Sequence, residues 1–162
     1  YLPPLTSMPF DGPAAERIVE VLRRGGMPAV VRTGLAGPSA FGSAVMGTYV
    51  TALRAAGWSF AALDPELMRT AAHAVTEANE VVEQRLGQRA PRGLGFVGPR
   101  TVPLGLWLGA RVLPLPLETY LRVHFTKVGA QTRASLEHLV ATGEAQGRPM
   151  ASMRELLKRA EG

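Results

Sequence analysis

The sequence contains no cysteine. That excludes disulfide staples, a thiolate nucleophile and any thiolate metal site. Lysine is almost missing as well: Lys127 and Lys158 are the only two, and arginine supplies the rest of the positive charge. No run of five basic residues occurs, and aromatics make up only 6% of the chain, so the charge blocks and stacking platforms that grip nucleic acid are lacking. No nucleic-acid partner is expected. The longest apolar stretch, residues 102–117, is broken by Arg111 and by Pro103, Pro114 and Pro116. It is too short and too interrupted to span a bilayer, and no membrane partner is expected. The opening Tyr1-Leu2-Pro3-Pro4 has neither the charged segment nor the apolar run of a signal peptide, and it lacks Met. It reads as a start in mid-protein, and the cysteine-free composition fits a reducing, cytoplasmic setting.

What is present is an ordinary globular composition. With 162 residues, 46% hydrophobic and 19% charged, the chain is sized for one domain that needs no metal to fold. The net charge is +5, spread as single or paired arginines among acids. The one dinucleotide-style glycine run, Gly93-Leu94-Gly95-Phe96-Val97-Gly98, lacks its working context. Such a run cradles a pyrophosphate only between a strand and a helix. Here Pro91 precedes it and Pro99 follows at once, so it reads as a loop between helices. No cofactor site is expected in this chain.

Helical signals dominate. Asp11-Gly12-Pro13 reads as a start for a helix that carries Ile18, Val21 and Leu22 to a stop at Gly25-Gly26. Ala29-Val30-Val31 is β-prone and predicts one short strand near 28–32, after an extended segment over residues 1–10. Phe41, Val45, Tyr49 and Leu53 recur every four residues, which predicts a helix over about 39–56 ending at Gly57. Asp64-Pro65-Glu66 caps the clearest helix, whose apolar face is Leu67, Ala71, Val75, Ala78, Val82 and Leu86 before Gly87. Glu77, Glu80 and Glu83 read as its solvated side. Helices are then predicted over 104–113, 117–127, 130–145 and 152–159, the last with Met153, Leu156 and Leu157 inward. About seven helices with at most one strand make an all-α domain.

Chemistry is harder to find. His73, His124 and His138 show no metal-ligand spacing, and His73 beside Ala71 and Ala72 reads as a partly buried structural residue. No metal site is expected. No serine sits in a nucleophile elbow. Ser39 and Ser43, one turn apart, read as capping and small-residue packing at a helix start, or as an anion contact there. His124 and Lys127 share a helical face and read as an anion or carbonyl contact, or as a solvated pair.

Three stretches resemble the C-terminal domain of the ketopantoate reductase family: Ala52-Leu53-Arg54-Ala55-Ala56-Gly57, the helix wording from Glu77 to Gly87, and the tail from His124 through Gln146-Gly147-Arg148-Pro149 to Arg159. Phe10-Asp11-Gly12-Pro13 is similar to the junction where that family leaves its nucleotide domain. The resemblance implies that residues 1–10 belong to the end of an N-terminal Rossmann domain and that 11–162 form a helical substrate and dimerisation domain. It further implies NADPH for the full-length parent, a small 2-oxo acid-like substrate, and a homodimer. The family's catalytic lysine and substrate-binding acid have no counterpart: the 39–56 helix offers Ser39, Ser43, Thr48 and Tyr49, and the later position reads Ala130-Gln131-Thr132-Arg133. No catalytic residue is therefore assigned. The substrate-facing candidates are Ser43, Tyr49, His124 and Lys127. A rival reading is a non-enzymatic interaction module whose apolar segment 104–117, with Trp107, pairs with a second copy.

Overall fold

A computed structural model describes residues 6–161. Among them two short strands and seven helices follow in the order β1 (Met8–Phe10), α1 (Ala15–Arg24), β2 (Ala29–Val31), α2 (Ala36–Ala55), α3 (Pro65–Leu86), α4 (Thr101–Val112), α5 (Leu117–Lys127), α6 (Gly129–Ala145) and α7 (Ala151–Arg159). Single 3₁₀ turns at Phe60–Ala62 and Arg92–Phe96 occupy the longer connections. The fold is all-α, and the strand expected near 28–32 is β2. The chain divides into two compact units, one ending at Ser39 and the other starting at Ala40.

In the first unit β1 pairs with β2 in parallel, Met8 opposite Ala29 and Phe10 opposite Val31. Parallel neighbours cannot be joined by a tight turn, and α1 supplies the crossover. Pro9 has no N–H to give a further strand, which suits β1 to a sheet edge. Ala15 and Val19 are the buried side of α1, and Arg23 Nε donates to the Ala29 carbonyl at 2.7 Å. Asp11 does not cap α1. The helix begins too late, with Ala14 at the cap position and no side-chain cap bond. The Asp11 carboxylate instead accepts the amides of Gly12 at 2.8 Å and Leu35 at 2.9 Å, tying the end of β1 to the approach to α2. Those backbone donors, Leu35 foremost, hold its pKa below the ordinary value.

The second unit is organised around α3. Asp64 Oδ1 accepts the Leu67 amide at 2.8 Å, Pro65 takes the first position, and Gly87 ends the helix in the left-handed region, all as the sequence predicts. Ala71, Ala74 and Ala78 are fully buried. Alanines at this spacing let α7 approach closely, with Met153 and Leu156 packed into the same core. Two polar clamps set the antiparallel register of α3 and α7. Glu77 accepts the amides of Ser152 at 3.0 Å and Met153 at 2.9 Å, and Arg159 Nη2 reaches Glu66 at 2.6 Å. Hydrogen bonds that it donates to Glu155 and Glu66 hold the Arg159 guanidinium above its ordinary pKa.

The acidic side of α3 is thus not simply solvated, as the sequence reading had it. Glu77 caps α7, Glu80 pairs with Arg148, and Glu83 accepts the Ala90 amide at 2.8 Å. All three partners lie outside α3, where helical spacing carries no information. His73 departs from expectation in the other direction and is exposed.

α6 closes the core through Leu136 and Val140. Its Gly143 is buried where a Cβ would meet Met150 Cγ at 2.8 Å and Val81 Cγ2 at 2.9 Å. Only glycine allows this approach of α6, α3 and the start of α7. Met150 is itself fully buried at φ +45°, an uncommon conformation for a side-chain-bearing residue. By contrast, α4 and α5 contain no buried residue. No helix among the described residues is long and apolar enough to cross a membrane.

Candidate functional site

α2 has two working faces. Phe41, Ala44, Thr48 and Ala52 enter the core, and the hydroxyls of Thr48 and Thr51 are satisfied by the carbonyls one turn back, at 2.7 and 2.8 Å. Gly42, Met46, Tyr49 and Leu53 line a cavity of about 350 Å³. The opposite wall comes from Val97 after the second 3₁₀ turn, from Val102 and Leu106 of α4, and from Leu121 and Phe125 of α5. This volume lies in the range of small-molecule sites. A hollow of about 30 Å³ beside Arg54 and Thr132 is an order of magnitude smaller.

The cavity wall is aliphatic and aromatic except at Tyr49, whose side chain is the one polar group among the described lining residues. The Tyr49 hydroxyl donates to the Val97 carbonyl at 3.4 Å, long for an O–H donor. It is therefore easily redirected to a bound acceptor. Partial burial raises its pKa above the ordinary tyrosine value, so the phenol keeps its proton and its donor role at neutral pH. The wall offers no cation to a carboxylate and no base to a nucleophile. Chemically it can exclude water, hold an apolar group, and give one hydrogen bond to an oxygen.

Of the four candidates named from sequence, the structure brings Tyr49 alone into this cavity. Ser43 is exposed on α2, outside the lining. It is not at a free helix start either: α2 begins at Ala36, and the Ser39 amide already donates to Leu35 at 2.9 Å. The anion contact considered for Ser39 and Ser43 has no free first-turn amides of its own. His124 is exposed and stacks on Tyr120, ring centroids 5.7 Å apart, with Phe125 edge-on at 4.9 Å. His124 and Lys127 occupy the last turn of α5, where the Lys127 ammonium complements the helix dipole.

Sequence reasoning missed the other half of the wall. Gly42 is helical, yet a Cβ there would meet no atom within 4 Å, because the cavity lies in front of it. The glycine run at 93–98 supplies Leu94 and Val97 to the wall, and Arg92–Phe96 forms a 3₁₀ turn rather than a phosphate cradle. Among the described residues, no group of three or more His, Asp or Glu could hold a metal ion. No family model, curated protein or solved structure matches the chain.

Proposed function

We propose that this chain is the helical substrate and dimerisation half of a ketopantoate-reductase-like oxidoreductase. On this reading a Rossmann domain of the same protein, outside this sequence, holds NADPH. Bound there, NADPH would supply a hydride to a ketone carbon. Tyr49 would donate a hydrogen bond to the oxygen as negative charge builds on it, and solvent would supply the proton that completes the alcohol. The substrate is a small 2-oxo acid-like ketone whose apolar substituent enters the cavity beside Leu53 and Phe125. Its acid group finds no cation in that wall and is left to the nucleotide side. The parent protein works in the cytoplasm as a homodimer.

The observation that carries this reading is the parallel β1–α1–β2 unit placed directly before the helical body. Parallel strands belong to sheets covered by helices, and a pair of three-residue strands buries too little to stand alone. A strand–helix–strand unit that precedes an all-α body along the chain supports this reading because it matches the domain order expected of a two-domain nucleotide-dependent reductase.

The test is a titration with NADPH, on this chain and on the product of the whole reading frame that encodes it. The expected result is no micromolar binding by this chain, and NADPH binding with 2-oxo acid-dependent oxidation by the longer product. Micromolar binding by this chain alone, or a reading frame that encodes no strand-glycine-helix unit before Tyr1, overturns the proposal.

A further inference from the structure

We propose that the outer face of α4 rests on an anionic lipid surface. α4 is apolar on both sides. Val102 and Leu106 turn toward the cavity, whereas Leu104, Trp107, Leu108 and Val112 are all more than half exposed, Val112 at 71%. On a helical wheel these four share one arc with Arg111, whose guanidinium lies 3.7 Å above the Trp107 ring. A face of this kind, with an indole and an arginine set among leucines, matches the boundary between lipid headgroups and acyl chains.

The charge pattern decides what covers the face. Of 18 basic and 13 acidic residues in the chain, six basic and one acidic lie between 88 and 128, which leaves the two signs equal everywhere else. All six (Arg89, Arg92, Arg100, Arg111, Arg122 and Lys127) are exposed. The single acid, Glu118, already accepts the Phe60 amide at 2.6 Å. Arg100 stands at the N-terminal cap of α4, and the first turn carries no acid. A cation there opposes the helix dipole, an arrangement that an external anion relieves. A second copy brings the same excess of positive charge to a symmetric contact and repels it. An anionic bilayer surface satisfies the apolar arc, the Arg111 set in it, the Arg100 at its start and the excess of positive charge in the segment that carries them. Lying on such a surface asks for no span, so the broken apolar stretch that rules out crossing is no obstacle.

The full chain is mixed with vesicles of phosphatidylcholine containing phosphatidylglycerol, and separately with phosphatidylcholine alone, and floated through a density gradient. Flotation with the anionic vesicles only, lost at high salt, is expected. Leu108→Glu lowers the partition coefficient about tenfold or more, and Arg100→Gln about fivefold, with unchanged circular dichroism because both side chains are exposed. In a Trp58→Phe background Trp107 is the sole indole, and its emission moves to shorter wavelength on anionic vesicles. Failure to float, equal flotation with neutral vesicles, unshifted Trp107 emission or undiminished binding by Leu108→Glu each overturns the proposal. So does a dimer in sedimentation equilibrium that Leu108→Glu splits in a protein that ignores vesicles, the outcome that assigns the face to a second copy.

Discussion

The Glu77 carboxylate, halfway along α3, accepts the backbone amide of Ser152 at 3.0 Å. Its other oxygen takes the next amide, that of Met153, at 2.9 Å. The N-terminus of α7 has no cap of its own, so α3 provides one from 75 residues away. Charge-assisted bonds to free helix amides contribute about 1–2 kcal/mol at a half-buried site. Glu77→Ala is expected to lower unfolding stability by about that amount, and Glu77→Gln by less, since one acceptor oxygen remains. Urea denaturation of the two variants checks the order.

Gly143→Ala sets two effects against each other. Alanine favours a helix over glycine by about 1 kcal/mol. The added methyl, however, would press on Met150 and Val81, both buried in the core. Overpacking of this kind costs about 1–3 kcal/mol, and contacts under 3 Å to two neighbours place it at the upper end. The clash wins, and a net loss of about 2 kcal/mol is expected in a thermal or urea melt. At Gly42 the sign reverses, because its Cβ would face open space. Gly42→Ala is expected to stabilise by about 0.5–1 kcal/mol.

Asp11 makes the first unit sensitive to acid. Its pKa is depressed in the folded state by the Leu35 and Gly12 amides. A depressed carboxylate stabilises the fold above its unfolded pKa, and that contribution disappears as pH falls through the folded value. Amide exchange at Leu35 is therefore expected to be slow at neutral pH and to quicken, relative to the intrinsic rate, below the ordinary carboxylate range. Asp11→Asn, with no proton to gain there, flattens that dependence. An Asp11→Asn protein whose Leu35 amide still quickens in acid as the wild type does would remove the carboxylate from this account.

On the proposed reduction, Tyr49→Phe in the parent protein removes the one side-chain donor among the described residues of the cavity wall. A loss of about a hundredfold in kcat is expected, with KM changed little, as for other donors to a developing oxyanion. Because burial raises the Tyr49 pKa, the donor persists as pH rises past the ordinary tyrosine range. A fall in kcat with rising pH that sets in below the ordinary tyrosine range and vanishes in Tyr49→Phe contradicts that placement.

Much of the helical frame is legible in the chain because its signals are local. Asp64-Pro65 and Gly87 bracket α3 within the sequence that forms it, and the proline pair at 114 and 116 separates α4 from α5. Of the apolar face expected along α3, Leu67, Ala71, Val75, Ala78 and Val82 are buried and Leu86 is only partly so, while Met68, Ala74 and Val81 widen that face. Glu77 was legible as a charge and not as a cap, since its partner belongs to another helix. β1 is three residues long and contains proline, so nothing marks it until β2 lies beside it. The cavity was legible only through Tyr49. Gly42 and Val97 become wall residues by where α2 and the 93–98 loop come to lie, which is a property of packing and leaves no periodic trace.

Val102 and Leu106 look inward while Leu104 and Leu108 look outward from one twelve-residue helix. The partition between the hollow and the outside is consequently a single backbone thick. Any tilt of α4 resizes the space behind it. On the proposed lipid contact, the position of α4 would set the size of group that the hollow admits.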